Sequence, residues 1–149
     1  MFFRGSSLRS LDPKGRLMLP PEFRELVQQK SEGSQIVLTT YDKCVVVFML
    51  SEWEEFEKKL AEVATPVLQV RDHRRRVIGS AEVMAIDAQG RVRLTPRQLA
   101  YAGIEKEALV VGTGRRFEIW SPERFDELVN QDIDDVATAL AESGISFDF

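Results

Sequence analysis

The chain writes one phrase twice. Positions 11–20 read LDPKGRLMLP and positions 86–96 read IDAQGRVRLTP, 75 residues apart. Asp12, Gly15, Arg16, Leu17, Leu19 and Pro21 return as Asp87, Gly90, Arg91, Val92, Leu94 and Pro96. An internal repeat constrains the fold more than any local propensity, because both copies should adopt the same supersecondary unit. A unit of about 70 residues is marginal as a core of its own. A solenoid would want three or more units. The repeat therefore predicts two half-units packed about a pseudo-twofold axis.

The order of elements repeats as well. PPEFRELVQQ predicts a short helix, since proline suits the first helical turn and Phe23, Leu26 and Val27 share a face. QIVLTT and CVVVFML read as strands around a turn at Tyr41-Asp42-Lys43. SEWEEFEKKLAEV then reads as a helix, with Ser51 and Glu54 as a capping box and Trp53, Phe56, Leu60 and Val63 at helical spacing. In the second copy, Thr95 and Pro96 open a helix through Leu99 and Tyr101, which Gly103 ends in a left-handed cap. ALVV and RFEIW are strands around Gly112-Thr113-Gly114, a hairpin turn and not a nucleotide loop, because a strand follows it. Ser121-Pro122 starts another helix, with Phe125, Leu128 and Val129 expected inside.

Between the copies, TPVLQVRDHRRRVIG predicts a basic helix with Val70, Val77 and Ile78 on one side. Its Arg71, Arg74, Arg75 and Arg76 form a solvated face or pair with the acidic helices on one reading, and touch phosphate on another. Residues 131–149 keep a weak helical period at Ile133, Val136 and Leu140 and read as a loosely attached tail. Each copy is thus strand–turn–strand, short helix, hairpin, helix, which makes the chain α+β.

In the repeated phrase, Gly15 and Gly90 stand where a strand reverses and a positive φ is needed. Asp12 and Asp87 open the turns, where a carboxylate bonds backbone N–H groups two residues on. Neither reason explains the Arg that follows Gly both times. An Asp and an Arg across a tight turn can pair. Two readings stand: a surface ion pair of roughly 0–1 kcal/mol, or a carboxylate that orients a guanidinium fork for phosphate or a guanine edge. Lys14, Arg9 and Arg4 add charge around the first copy, and Arg93 and Arg97 around the second, which favours nucleic acid.

The net charge of −4 hides an asymmetry. Residues 1–116 hold 19 Lys and Arg against 15 acids, whereas 117–149 hold one Arg against nine acids. An acidic total therefore does not exclude a basic face. Apolar content of 44% with 30% charged residues is that of an ordinary globular chain. No apolar run approaches the roughly 18 residues of a membrane span, and MFFRGSSLRS lacks the apolar centre of a signal peptide. The single cysteine, Cys44, lies in a strand-like apolar run, reads as a buried residue and fits a reducing cytosol. His73 reads as solvated or packed on its helix, and no Cys/His spacing fits zinc. As a carboxylate pair, Asp12 and Asp87 would be poor general acids, since an adjacent Arg depresses each pKa. No enzyme, cofactor or metal is expected.

MFFRGSSLRSLDPKGRLMLPPEFRELV, the second DAQGRVRLTP, the EWEEFEKKL helix and FEIW together resemble the MraZ family, from the N-terminus to about residue 130. The resemblance implies a duplicated AbrB-like swapped-hairpin β-barrel, two ββαββα half-units about a pseudo-twofold axis with peripheral helices. It places the first half-unit at 1–65, a basic connecting helix at 66–79, the second half-unit at 80–130 and an acidic C-terminal tail at 131–149, with 1–130 as one compact domain. It further implies a ring-shaped homo-oligomer, cytoplasmic and nucleoid-associated, that regulates transcription. Such a protein binds double-stranded DNA at short repeated boxes ahead of the bacterial division and cell-wall gene cluster, its own gene included. Residue by residue, Asp12 and Arg16 match the first signature pair, Asp87 and Arg91 the second, and Lys14 the basic residue inside the first turn. Arg16, Lys14, Arg91, Arg4 and Arg9 are the expected DNA contacts, oriented by Asp12 and Asp87. Three positions depart from the family pattern: Glu22, often basic in relatives, Gln89 where the first turn has Lys14, and an extra Phe at position 2 or 3. The rival function is a ring-forming adaptor of the same fold, docking proteins through its charged face and tail.

Overall fold

The computed structural model of the protein describes residues 2–64, 67–131 and 136–144. Its elements run β1 (Ser6–Ser10), β2 (Arg16–Met18), α1 (Pro21–Lys30), β3 (Gln35–Tyr41), β4 (Cys44–Met49), α2 (Leu50–Ala61) and α3 (Leu68–His73). The second copy follows as β5 (Glu82–Ala85), β6 (Arg91–Arg93), α4 (Pro96–Ala102), β7 (Glu107–Gly112), β8 (Phe117–Trp120), α5 (Pro122–Val129) and then α6 (Val136–Glu142). The chain is α+β, in the order that the repeat predicts.

Six strands form one antiparallel sheet in the order β1-β7-β8-β4-β3-β5, and β2 pairs with β6 in a separate ribbon. Exchanging β1 with β5, β3 with β7 and β4 with β8 returns the same order reversed, as a pseudo-twofold requires. The registers agree: Ser7 faces Val110, and its counterpart Glu82 faces Leu38. Leu17 pairs with its own repeat partner Val92, and Val46 with Glu118, so the axis passes through both pairs. The offset is 75 at the ribbon and 72 in the hairpins, because α1 has ten residues and α4 seven. Only the hairpins β3–β4 and β7–β8 stay within a copy. Every other pairing joins one copy to the other, so neither copy completes its sheet alone.

The middle of the sheet is covered on both faces, and β4 shows it best, whereas the outer strands β1 and β5 expose Leu8 and Val83. All six of its residues are buried. Val45, Val47 and Met49 face the core of Leu17, Phe23, Ile36, Val92, Leu94 and Phe117. Cys44, Val46 and Phe48 face a second cluster with Trp53, Val77 and Trp120. The strand alternates between two apolar environments, which is why it reads as an unbroken apolar run. Cys44 is buried as expected, and burial pushes its thiol pKa far up. Phe3 also belongs to the core at 2% exposure, its ring 5.1 Å from Phe23 and 4.9 Å from Phe117.

Some local expectations need correction. The second helix does not start from a Ser51/Glu54 capping box. It begins at Leu50 with Met49 as N-cap, the position of Ser121 in the second copy, and no side chain caps it. It ends at Ala61, short of Val63. In α5, Ser121 does cap the helix, but Leu128 and Val129 are 40% and 57% exposed; only Phe125 packs inward, on Trp120. The basic connection is α3 followed by a single π-helical turn, Arg74–Ile78. Among the described residues its Arg side chains make no ion pair with the acidic helices: Arg74 instead docks on the end of α2 by donating to the carbonyls of Leu60 and Val63, and Arg75 reaches Asp72 on its own helix. Of the tail, Ile133 lies outside the described residues, and Val136 and Leu140 fall in α6.

Candidate nucleic-acid interface

Each repeated turn is organised by its aspartate. Asp12 Oδ1 accepts the backbone N–H of Lys14 and of Arg16, both at 2.9 Å, and Oδ2 accepts Arg16 Nε at 2.6 Å. Asp87 repeats this: Oδ1 accepts the N–H of Gln89 at 2.9 Å and of Arg91 at 2.8 Å, and Oδ2 accepts Arg91 Nε at 2.8 Å. Backbone bonds close both loops, from Gly15 to the Asp12 carbonyl at 3.0 Å and from Gly90 to that of Asp87 at 2.9 Å. The glycines hold φ of 79° and 82°, where a Cβ would be strained. Each carboxylate grips its Arg at Nε, a pairing that does not use the two terminal nitrogens. That holds the fork in one pose with its outer donors turned from the carboxylate.

The two turns also support each other. The N–H of Leu94, leaving the second turn, donates to the Gly15 carbonyl at 2.9 Å, and that of Leu19 donates to the Gly90 carbonyl at 2.9 Å. Bonds to the charged carboxylate lower both aspartate pKa values. For Asp12 the backbone N–H of Arg16 is the largest cause. For Asp87 partial burial is the largest influence and acts upward, but the donors from Arg91 and Gln89 outweigh it. Both are anions at neutral pH, so both Arg residues stay paired.

The ribbon sets the spacing. Arg16 lies opposite Arg93, and Arg91 opposite Met18. Arg16, Arg91 and Arg93 line one groove of about 450 Å³ with Asp87, the β5 residues and Thr95-Pro96. The copies differ here, since the counterpart of Arg93 is Met18. Directly across the ribbon the first Arg therefore faces a second cation, and the other faces a methionine. Lys14 is exposed at the tip of its turn. Arg9, on β1, is half-buried and donates from Nε to Ser7 Oγ at 3.0 Å. Arg4 lines a different recess with Phe2, Glu22 and Phe23, apart from the groove.

One cation escapes sequence reading. Arg24, on α1, donates from Nη2 to the Ala88 carbonyl at 2.9 Å and lies against Gly90. Its counterpart in the repeat is Leu99, which lies beside Gly15. The second turn lacks a counterpart of Lys14 but receives this guanidinium from the other copy. Aligning the copies at the 75-residue offset would have flagged an Arg against a Leu at this position. His73 packs edge-on to the rings of Tyr41 and Phe56, at 5.3 and 6.3 Å. Among the described residues no His/Cys/Asp/Glu group has metal-site geometry, and no helix is long and apolar enough to cross a membrane.

A family described as "MraZ protein, putative antitoxin-like" matches residues 2–70 and 77–148, one stretch for each copy. A protein of Nitratidesulfovibrio vulgaris (strain DSM 19637 / Miyazaki F) named transcriptional regulator MraZ is 54% identical over 145 residues, 97% of either chain. One of the same name from Oleidesulfovibrio alaskensis is 48% identical over 147 residues, 99% of either chain. Another from Serratia proteamaculans is 34% identical over 133 residues, 89% of this chain and 88% of its own.

Proposed function

Because the chain belongs to the MraZ family, we propose that it is a transcriptional regulator that binds double-stranded DNA through its two Asp–Arg turns. The observation that carries this reading is the identical grip of Asp12 on Arg16 and Asp87 on Arg91 at Nε. A guanidinium fixed on one side offers its remaining donors to a guanine edge or to phosphate oxygens with little further ordering. The repeated fork on one ribbon suits a ligand that itself repeats. Lys14 and Arg9 supply charge near the first fork, and Arg24 and Arg93 extend it.

The finer reading follows the family resemblance. The targets are short repeated boxes ahead of the division and cell-wall gene cluster, including the protein's own gene. The binding form is a ring-shaped homo-oligomer acting in the cytoplasm on the nucleoid, without cofactor, metal or catalytic step. The division into 1–65, 66–79, 80–130 and 131–149 is part of this proposal. One turn with one Arg and one Lys makes too few contacts for tight binding at physiological salt, where non-specific affinities are only about 10⁻⁴–10⁻⁶ M. Several turns on one assembly make later contacts intramolecular and raise avidity about 10²–10⁴-fold.

The test is a mobility-shift titration on one box, on adjacent boxes, and on boxes moved apart by about half and about one helical turn, roughly 5 and 10 bp. Adjacent boxes should bind far more tightly than one. The half-turn insertion should remove most of that gain and the full-turn insertion less. Equal affinity for one box and several would remove the ring as the source of affinity. A complete lack of salt-dependent shift would favour the protein-docking adaptor.

A further inference from the structure

We propose that the recess between the π-helical turn and α4 binds a small phosphorylated ligand, a nucleotide, at a site distinct from the DNA groove. The recess holds about 610 Å³, more than the groove between the two turns. Sites for small molecules fall at roughly 300–1,000 Å³. Arg76 from the π-helical turn and Arg97 from α4 both line it. Among the described residues neither enters an ion pair, whereas Arg75 beside them is held by Asp72 at 3.5 Å. With Asp72 taken by Arg75, the recess keeps Arg76 and Arg97 against the single carboxylate of Asp42, a positive balance that favours a bound anion. A phosphate group matches both the charge and the fork geometry of two guanidiniums.

Other groups around the recess fit the remainder of a nucleotide. Tyr41 and Tyr101 line it and are 53% and 44% exposed. The Tyr41 ring is braced edge-on by His73, so its free face is a fixed platform on which a base can stack. The Tyr101 hydroxyl accepts the N–H of Lys43 at 3.1 Å and keeps its own proton to donate. Asp42 also lines the recess, and a carboxylate there can accept ribose hydroxyls.

The backbone beneath is held in an uncommon form. π-Helical turns are rare and occur often at functional sites. This one is pinned by Ser80 Oγ, which donates to the Arg76 carbonyl at 2.6 Å, and by Thr39 Oγ1, which donates to that of Val77. The phosphoryl group could instead come from a DNA backbone, because the recess adjoins the groove where Thr95-Pro96 leads into Arg97. A concave site with exposed aromatic faces favours the small ligand.

The experiment is a calorimetric titration of the full chain at low ionic strength with adenosine and guanosine monophosphates, and with inorganic phosphate. At least one nucleotide should bind saturably, one per chain, and inorganic phosphate at least about tenfold more weakly. Arg76→Gln and Arg97→Gln should each weaken the nucleotide about tenfold, as expected for one charge-assisted contact. Tyr41→Ala should weaken nucleotide binding and leave phosphate binding unchanged. Both Arg side chains are exposed, so the variants should melt as the parent does without ligand and lose only the ligand-induced rise in Tm. No saturable heat, equal affinity for nucleotide and phosphate, or undiminished binding in the double variant would each overturn the site. Loss of DNA affinity in that variant, with no nucleotide heat from the parent, would overturn it in favour of a backbone contact.

Discussion

The Gly15 carbonyl accepts the Leu94 N–H at 2.9 Å, which fastens the first turn to the strand leaving the second. Gly90 and Leu19 make the matching bond. The two Asp–Arg turns are one mechanical unit, held by bonds that cross between copies of a duplicated sequence.

The two glycines should nevertheless respond differently to alanine. Both sit at positive φ, so both substitutions carry backbone strain of the order of 1 kcal/mol. A Cβ on Gly15 would stand 2.7 Å from the Leu94 carbonyl oxygen, whereas one on Gly90 would stand 2.9 Å from Cδ of Arg24. A backbone oxygen in a paired ribbon cannot move aside; a long side chain can. Gly15→Ala should lower the midpoint of chemical denaturation clearly more than Gly90→Ala. Equal losses would mean that the Leu94 carbonyl gives way as readily as the Arg24 side chain.

Arg16→Ala should cost more DNA affinity than Arg91→Ala. Each well-formed bidentate contact to a base contributes roughly 1–3 kcal/mol of discrimination. Arg16 has Arg93 opposite it on the ribbon, whereas Arg91 has Met18. Arg24→Met should keep the packing over Gly90 and remove the charge that the second turn borrows. Its expected mark is a uniform loss across DNA sequences, with a shallower salt dependence by about one counterion. The measurement is a mobility-shift series at several salt concentrations. Equal losses from the two turn arginines would remove the inequality, and an unchanged salt slope would remove Arg24 from the interface.

The repeat made the half-units and their order legible, because a 75-residue offset in the turns leaves few topologies. It also made the Asp–Arg turns legible, since the spacing from carboxylate to Arg is local. The long-range partners were not. Phe3 and Arg24 act on residues far along the chain, Phe3 on Phe117 and Arg24 on Ala88, and no periodicity reports such contacts. The Ser51 cap misled because Ser-x-x-Glu is a good local signal. Burial of β4 instead carried the strand up to Met49 and moved the N-cap two residues back, from Ser51 to Met49. Leu128 and Val129 keep a helical period with Phe125, but they are exposed and lie outside the second apolar cluster, which among the described residues reaches no further along the chain than that ring.

Acid should act on the turns before it acts on the arginines. Asp12 and Asp87 titrate below the ordinary 3.8, held down by the N–H groups and guanidinium that each accepts. A depressed carboxylate stabilises the fold fully above its unfolded pKa, and the effect fades as pH falls through the lower folded value. The stability difference between the protein and its Asp12→Asn/Asp87→Asn variant should be constant from pH 8 to about 5 and shrink below about 4. Thermal melts of both across that range check it. A difference that instead shrank near pH 6 or 7 would mean that the two turn carboxylates are not its source.

Removing residues 131–149 should leave the fold standing and increase non-specific DNA binding. Among the described residues, neither apolar cluster extends past Phe125. The deletion takes away Asp132, Asp134, Asp135, Glu142 and Asp148, and no Lys or Arg. A segment of that charge repels phosphate over about one Debye length, 10 Å at 0.1 M salt. Its loss leaves the remaining chain more basic, and the electrostatic part of DNA affinity follows that charge. The gain should appear on random-sequence duplex at low salt and vanish as salt rises. Affinity for the boxes should change less, because the forks at Arg16 and Arg91 are unaltered. A truncated chain that failed to fold would place the tail in the core. A gain that persisted at high salt would point to a contact uncovered by the deletion, not to lost repulsion.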